Sequence, residues 1–197
     1  SASGSHTIYG APSTGKTTLL HTAIMSLALS YCPDQLHLYL MDFGGGSLNL
    51  FRNLPHVGGV VESSDEERME KLMTMLLNTL NERKKLINEQ GLVSIAAYRE
   101  ATGVQMPWIV LVLDNFAPVM ELYPAAEPFF QTIVREGASC GIYLLASVGA
   151  SNALPYRIAQ HVKMALCLRM TDRGDYAQIV GRTNGLEPED HAGRGLL

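Results

Sequence analysis

The sequence predicts an α/β fold in which a mostly parallel sheet carries helices on both faces. Three observations point there. Short apolar runs of strand length, at residues 36–41, 109–113, 141–147 and 164–169, alternate with stretches of helical periodicity. Those runs are nearly continuous in apolar residues, as strands buried on both faces are. The first β-branched run, residues 6–9, is joined to the first helical run, 19–29, by a loop bracketed by glycines.

That loop reads Gly10, Ala11, Pro12, Ser13, Thr14, Gly15, Lys16, Thr17, Thr18, a match to G-x-x-x-x-G-K-[ST] in strand–loop–helix context. Gly10 and Gly15 lack a Cβ, so backbone N–H groups can approach phosphate oxygens. The helix beginning near Lys16 aims its unsatisfied N–H groups at the same anion. Lys16 is expected to reach the β- and γ-phosphates of ATP, and the Thr17 hydroxyl to ligate Mg²⁺. Chance gives such a pattern in about one chain in a hundred of this length, so the flanking strand and helix decide the reading in favour of nucleotide.

The bulk properties set bounds. A chain of 197 residues with 47% hydrophobic and 17% charged residues buries a sizeable core and fits one domain, 1–197. Its net charge of −4 disfavours a broad nucleic-acid face. Cys32, Cys140 and Cys167 show no C-x-x-C spacing and read as reduced structural thiols. No apolar run is long enough to span a bilayer. The chain begins without Met, almost on its first strand, and the expectation is a domain excised from a longer polypeptide.

In order, a proline turn at residues 31–34 precedes the strand ending at Asp42, which is followed by glycines. That carboxylate reads equally as a ligand group at the strand's C-terminal edge and as a cap in a glycine turn. A short extended stretch at 59–61 leads to a long amphipathic helix over 66–89. Its stripe of Met69, Leu72, Met73, Leu76, Leu77 and Leu80 reads as core, and Arg83, Lys84 and Lys85 as a solvated end. A short helical piece starts near Val93. The run at 109–113 ends in Asp114, a carboxylate placed to hold Mg²⁺ through water. Asn115 then stands where ATP hydrolases of this kind carry Glu, and an amide cannot take a proton from water. On residue types alone, Asn115→Glu is expected to restore part of the turnover. A helix at 127–136 precedes the strand ending at Ser147, after which Val148 and Gly149 offer no side-chain donor to a phosphate. Helices at 154–160 and 172–180 flank the strand at 164–169, and the tail reads as loop with Arg182 and Arg194.

The loop at 10–18, the Asp42-Phe-Gly-Gly and Leu54-Pro-His-Val segments, the run ending at Asp114, and the Gly181-Arg and Gly193-Arg-Gly segments together resemble the FtsK/SpoIIIE class of RecA-like P-loop ATPases. More narrowly, Asp42-Phe-Gly-Gly, Asp114-Asn-Phe and Ile179-Val-Gly-Arg-Thr resemble the last ATPase domain of the EssC/EccC proteins of type VII secretion. The resemblance implies a RecA-like P-loop NTPase fold. It also implies a module on the cytoplasmic face of the bacterial plasma membrane, within a membrane-anchored chain carrying other ATPase domains. It further implies a homo-hexamer that exports small helical substrates. Asn115 and the Val148-Gly149 pair depart from the hydrolysing pattern. ATP binding with weak turnover is therefore the leading expectation. An active ATPase completed by a neighbouring subunit or domain comes next, and a DNA-translocating motor after it.

Overall fold

The computed structural model describes residues 4–189 and 191–197. β1 (His6–Tyr9) enters the glycine-bracketed loop, and α1 (Lys16–Ser30) starts on Gly15, whose φ of +103° suits glycine alone. β2 (Leu36–Asp42) and β3 (Val57–Glu62) follow, then α2 (Glu66–Glu89), α3 (Ile95–Thr102) and β4 (Trp108–Asp114). The chain continues through α4 (Phe116–Leu122), α5 (Glu127–Glu136), β5 (Ile142–Val148), α6 (Tyr156–Ala159), β6 (Met164–Leu168), α7 (Gly174–Ile179) and β7 (Gly195–Leu196).

The strands form one sheet in the order β3-β2-β4-β5-β1-β6-β7. Every pairing is parallel except β6 with β7. Because β5 and β4 lie between β1 and β2, the ends of four parallel strands meet at one sheet edge. Asp42 pairs with Asp114, and Tyr9 pairs with Val148. Open α/β sheets bind ligands along such an edge.

Alternation along the strands divides the core. Met41, Leu111, Leu113, Ile142, Leu144 and Ala146 face the layer built by α2 to α6, where Leu76, Phe116, Phe130 and Ile158 are fully buried. Leu38, Leu40, Val110, Val112 and Ile8 face the other way, onto Leu20 and Ile24 of α1 and onto Leu48 and Phe51. Helices thus lie on both faces, in the RecA-like arrangement.

Arg83 is not part of the solvated helix end expected for residues 83–85. The buried stripe of α2 runs Met69, Leu72, Leu76, Leu80, Arg83, Ile87, so Arg83 occupies a core position at helical spacing. It is 6% exposed. Its Nη1 donates to the Cys140 carbonyl and its Nη2 to the Pro107 carbonyl, both at 2.7 Å. These carbonyls precede β5 and β4, and a guanidinium fork reaches both at once. Lys85 keeps the expected solvated end, in a 3.8 Å pair with Glu89.

Lys84 leaves the helix end to pair with Glu136 of α5, which Arg135 also contacts. Hydrogen bonds from Lys84 and then Arg135 hold the Glu136 carboxyl below the usual carboxylate range. A depressed folded pKa means stability present above the unfolded value and lost as pH falls through the folded one. Glu136→Gln is therefore expected to flatten the acid limb of the stability–pH curve, measured by urea denaturation across that limb. An unchanged acid limb would exclude the linkage.

Among the described elements, α4 and β7 are not expected from the sequence. α4 has Pro118 in its first turn, where an amide proton has no helical acceptor to lose, so the proline is tolerated. β7 is a two-residue strand at the sheet edge, too short for any period to show. α3 is capped by Ser94, whose Oγ accepts from Ala97 N at 3.2 Å. Of the thiols, Cys140 and Cys167 are buried and Cys32 is exposed, all free.

Candidate functional site

The glycine-bracketed loop hangs between two strands. Gly10 N donates to the Val148 carbonyl at 3.2 Å, and Ala11 N donates to the Arg169 carbonyl at 2.8 Å. Thr14 Oγ1 closes the loop onto the Ala11 carbonyl at 2.9 Å. A Cβ on Gly10 would lie 2.5 Å from Thr14 Oγ1, so this closure needs a glycine there. The loop's N–H groups and the first turn of α1 form a concave backbone cradle of the kind that suits anions.

Lys16 arches over the loop, its Nζ donating to the carbonyls of Gly10 at 2.7 Å and Ala11 at 2.8 Å. Burial pushes the Lys16 ammonium's pKa down, and the nearby Asp114 carboxylate opposes the shift. A partly desolvated cation beside a backbone cradle is a strong anion partner.

Thr17 points the opposite way. Its Oγ1 donates to Asp114 Oδ2 at 3.0 Å, joining the start of α1 to the end of β4. Asp114 is 2% exposed. Its other oxygen, Oδ1, accepts from Ser147 Oγ at 2.6 Å, and the same Ser147 oxygen accepts from Asn115 N at 2.8 Å. Ser147 therefore fixes both the carboxylate and the backbone after it. The sequence reading looked past Ser147 to Val148 and Gly149. Only the β4–β5 pairing brings Ser147 against Asp114, and that pairing leaves no local mark in the chain.

Of the two readings of Asp42, the structure gives the cap. Oδ1 accepts from Gly44 N at 3.2 Å and Gly46 N at 2.9 Å, and Oδ2 accepts from Leu48 N at 2.6 Å. The turn so formed leans on the site. A Cβ on Gly44 would sit 2.4 Å from Asp114 Oδ2. Gly44→Ala is thus expected to displace a carboxylate already held by two hydroxyls and to cost about 1–3 kcal/mol, read as a lower thermal midpoint. An unchanged midpoint would show that the turn has slack.

Asn115 has φ +69° and ψ 90°, a conformation that asparagine tolerates better than most residues. Its Nδ2 donates to the Phe43 carbonyl at 3.3 Å. The side chain spans from β4 to the turn after β2 as a brace. Among the described residues, no group of three or more His, Cys, Asp or Glu gathers in a metal-binding arrangement. Thr17 and Asp114 nonetheless form the hydroxyl–carboxylate pair that suits a magnesium ion completed by phosphate and water.

Known proteins resemble the chain over nearly its whole length. The type VII secretion system protein EssC of Staphylococcus aureus is 31% identical over 179 residues, which is 88% of this chain and 12% of that protein. Among solved structures, EssC (ATPases 2 and 3) from Geobacillus thermodenitrificans superposes with a TM-score of 0.91 at 29% identity, covering 98% of this chain and 37% of that one. EccC (ATPases 2 and 3) of Thermomonospora curvata, in complex with a signal sequence peptide, superposes with a TM-score of 0.87 at 31% identity, covering 98% and 36%. The chain thus spans a small part of the length of these relatives. The FtsK/SpoIIIE family model matches residues 2–185, and with that match over an ATPase-like sheet edge the chain belongs to the FtsK/SpoIIIE family.

Proposed function

We propose that residues 1–197 form one ATP-binding module of a longer bacterial type VII secretion motor, and that this module holds ATP with Mg²⁺ but hydrolyses it weakly on its own. The observation that carries the reading is the Thr17–Asp114 contact at 3.0 Å, beside a backbone cradle, with an amide at position 115. Gly10, Ala11, Pro12, Ser13, Thr14, Gly15, Lys16, Thr17 and Thr18 would surround the phosphates. Thr17 and Asp114 would hold the metal, which supplies charge neutralisation at the phosphates when bound. The residues fit such a ligand: a Cβ would crowd the loop at Gly10, the backbone at Gly15 is left-handed, and the Lys16 ammonium is partly desolvated.

Binding and turnover separate on this reading. Asn115 has no basic atom to accept a proton from water, and a missing general base typically costs 10²–10⁴-fold in rate. Likeness to EssC and EccC, whose solved chains carry ATPases 2 and 3, supports other ATPase domains in the same chain and a place in type VII secretion; the proposed setting adds a homo-hexamer, small helical secreted substrates and the cytoplasmic face of the bacterial plasma membrane. No helix among the described residues is long and apolar enough to cross a membrane. The net charge of −4 weighs against nucleic acid as the cargo.

The test pairs calorimetry of ATP with Mg²⁺ and phosphate release, on the wild type and Lys16→Ala. Wild type is expected to bind and to release phosphate near background, and Lys16→Ala to bind about 10–100-fold more weakly, the worth of a charge-assisted contact. Saturating ATP should raise the midpoint of the wild type, by about 2.7 kcal/mol of stability at a hundredfold excess over Kd. Robust release by the wild type would sink the weak-turnover reading in favour of an active ATPase. Absence of binding would sink the module reading altogether.

A further inference from the structure

The two edges of the sheet are not alike. One is β7, only two residues long and so too short to template another strand. The other is β3, six residues paired with β2 alone. Its outward backbone N–H and C=O groups therefore form an open row. Folded proteins usually blunt such a row with lysine, proline or a bulge. β3 reads Val57-Gly-Gly-Val-Val-Glu62, without lysine or proline. Its one irregularity comes early: Leu38 pairs with Val57 and Tyr39 with Gly59, so Gly58 is the extra residue. From Gly59 to Glu62 the register with β2 is regular.

Two features turn this edge into a receiving surface. The first is the pair of glycines. Gly58 is exposed and a Cβ there would lie 2.6 Å from the Tyr39 ring, whereas a Cβ on Gly59 would meet nothing within 4 Å. An edge strand without side chains at these positions lets a second backbone approach closely. The second feature is the groove between β3 and α2, about 510 Å³ in volume. Tyr39, Leu72 and Met75 give it an apolar lining. Arg52, Arg68 and Lys71 are its charged residues, and among the described residues no Asp or Glu lines it. The carboxylates that these cations now contact, Glu62, Asp65 and Glu67, lie outside the groove at 3.5, 3.6 and 2.6 Å. Such pairs at the surface are weak, so an incoming carboxylate exchanges for them at little cost.

We propose that the free edge of β3 receives an extended acidic polypeptide segment as an added strand. Backbone hydrogen bonds to residues 59–62 hold the segment, and its alternate side chains enter the groove. Its carboxylates meet Arg52, Arg68 and Lys71. A basic segment would meet three like charges, and a helix would leave the open row unpaired. The inference is independent of the nucleotide reading, since no residue of the phosphate-type loop takes part.

The experiment titrates the full chain with three synthetic peptides of about eight residues, read by calorimetry and by hydrogen–deuterium exchange. One alternates valine and glutamate, and the second valine and lysine. The third is the first with every backbone nitrogen methylated. The valine–glutamate peptide is expected to bind at least tenfold more tightly than either of the others. It should also slow exchange at residues 57–62 and leave β7 unchanged. Arg68→Gln combined with Lys71→Gln, both at exposed positions, is expected to weaken that peptide about five- to tenfold with a thermal midpoint near wild type. Raising salt on the wild type should weaken it in the same direction, with no variant needed. Equal affinity for the glutamate and lysine peptides would overturn the proposal. Equal affinity for the methylated peptide would overturn it too, since charge would then attract without strand pairing. Unchanged exchange at residues 57–62 under saturating peptide would place binding elsewhere, and no binding by any of the three would leave the edge without a function.

Discussion

Asn115→Glu is expected to melt on the order of 10 °C below wild type and to release no more phosphate than wild type does. Residue types alone give the opposite expectation, since glutamate at this position would restore a base. The geometry reverses it. Asn115 sits at φ +69°, and moving a residue other than asparagine or glycine into the left-handed region costs roughly 1–2 kcal/mol. The amide also donates to the Phe43 carbonyl at 3.3 Å. A carboxylate offers that carbonyl only lone pairs, so the bond, worth about 1 kcal/mol, turns into repulsion. The total is about 2–4 kcal/mol, and a domain of this size loses roughly 2–4 °C per kcal/mol. The longer side chain must also leave the brace direction, and then nothing fixes it toward a phosphate. Asn115→Gly separates the effects, keeping the backbone conformation and losing only the brace, for about 1 kcal/mol. Differential scanning calorimetry and phosphate release on both variants decide it. Release restored in Asn115→Glu with an unchanged midpoint would mean that the brace is incidental and that position 115 is simply a replaced base.

What the sequence made legible, and what it hid, follows from the range of the forces involved. The loop motif was legible because glycines, a lysine and hydroxyls at fixed spacing act within one strand–loop–helix unit. α2 and α5 were legible because their apolar spacing is long and regular, and their observed bounds, Glu66–Glu89 and Glu127–Glu136, match the expected ones. Asp114 was legible as a charge ending an apolar run. Ser147 was hidden, because its meaning comes from the strand beside it and not from its neighbours in the chain. Asp42 stayed ambiguous for a related reason. Its three N–H donors are local, but whether it caps or binds depends on which way the turn folds. β7 was hidden because its two residues are placed by the Gly193–Thr14 contact and by β6, both remote in sequence. The site is therefore half local motif and half tertiary assembly.

Arg83 shows the same divide in a purely structural setting, and its removal is expected to have the largest effect on stability of any single change considered. Read along the chain, Arg83-Lys-Lys85 is a basic helix end. Read around the helix, position 83 follows Leu80 and precedes Ile87 on the buried stripe. Burial pushes the Arg83 pKa down, and the neighbouring Arg99, which lies 5.0 Å over the Trp108 ring, adds to the depression. The guanidinium stays charged at any ordinary pH because its intrinsic pKa is so high. Its cost is offset by two 2.7 Å bonds to the carbonyls of Cys140 and Pro107. Arg83→Ala would leave both carbonyls without these donors, at about 1–3 kcal/mol each, and open a void beneath α2. Relief of the buried charge recovers part of that, for a net loss of about 3–5 kcal/mol. Arg83→Met refills the volume and removes the charge but not the unmet carbonyls, so about half the loss should return. Arg83→Lys keeps the charge on a point donor that cannot span two carbonyls, and it should fall closer to alanine than to methionine. Urea denaturation of the three variants orders these contributions. Methionine more stable than wild type would mean that the fork costs more than it contributes, and alanine at wild-type stability would mean that the two bonds contribute nothing.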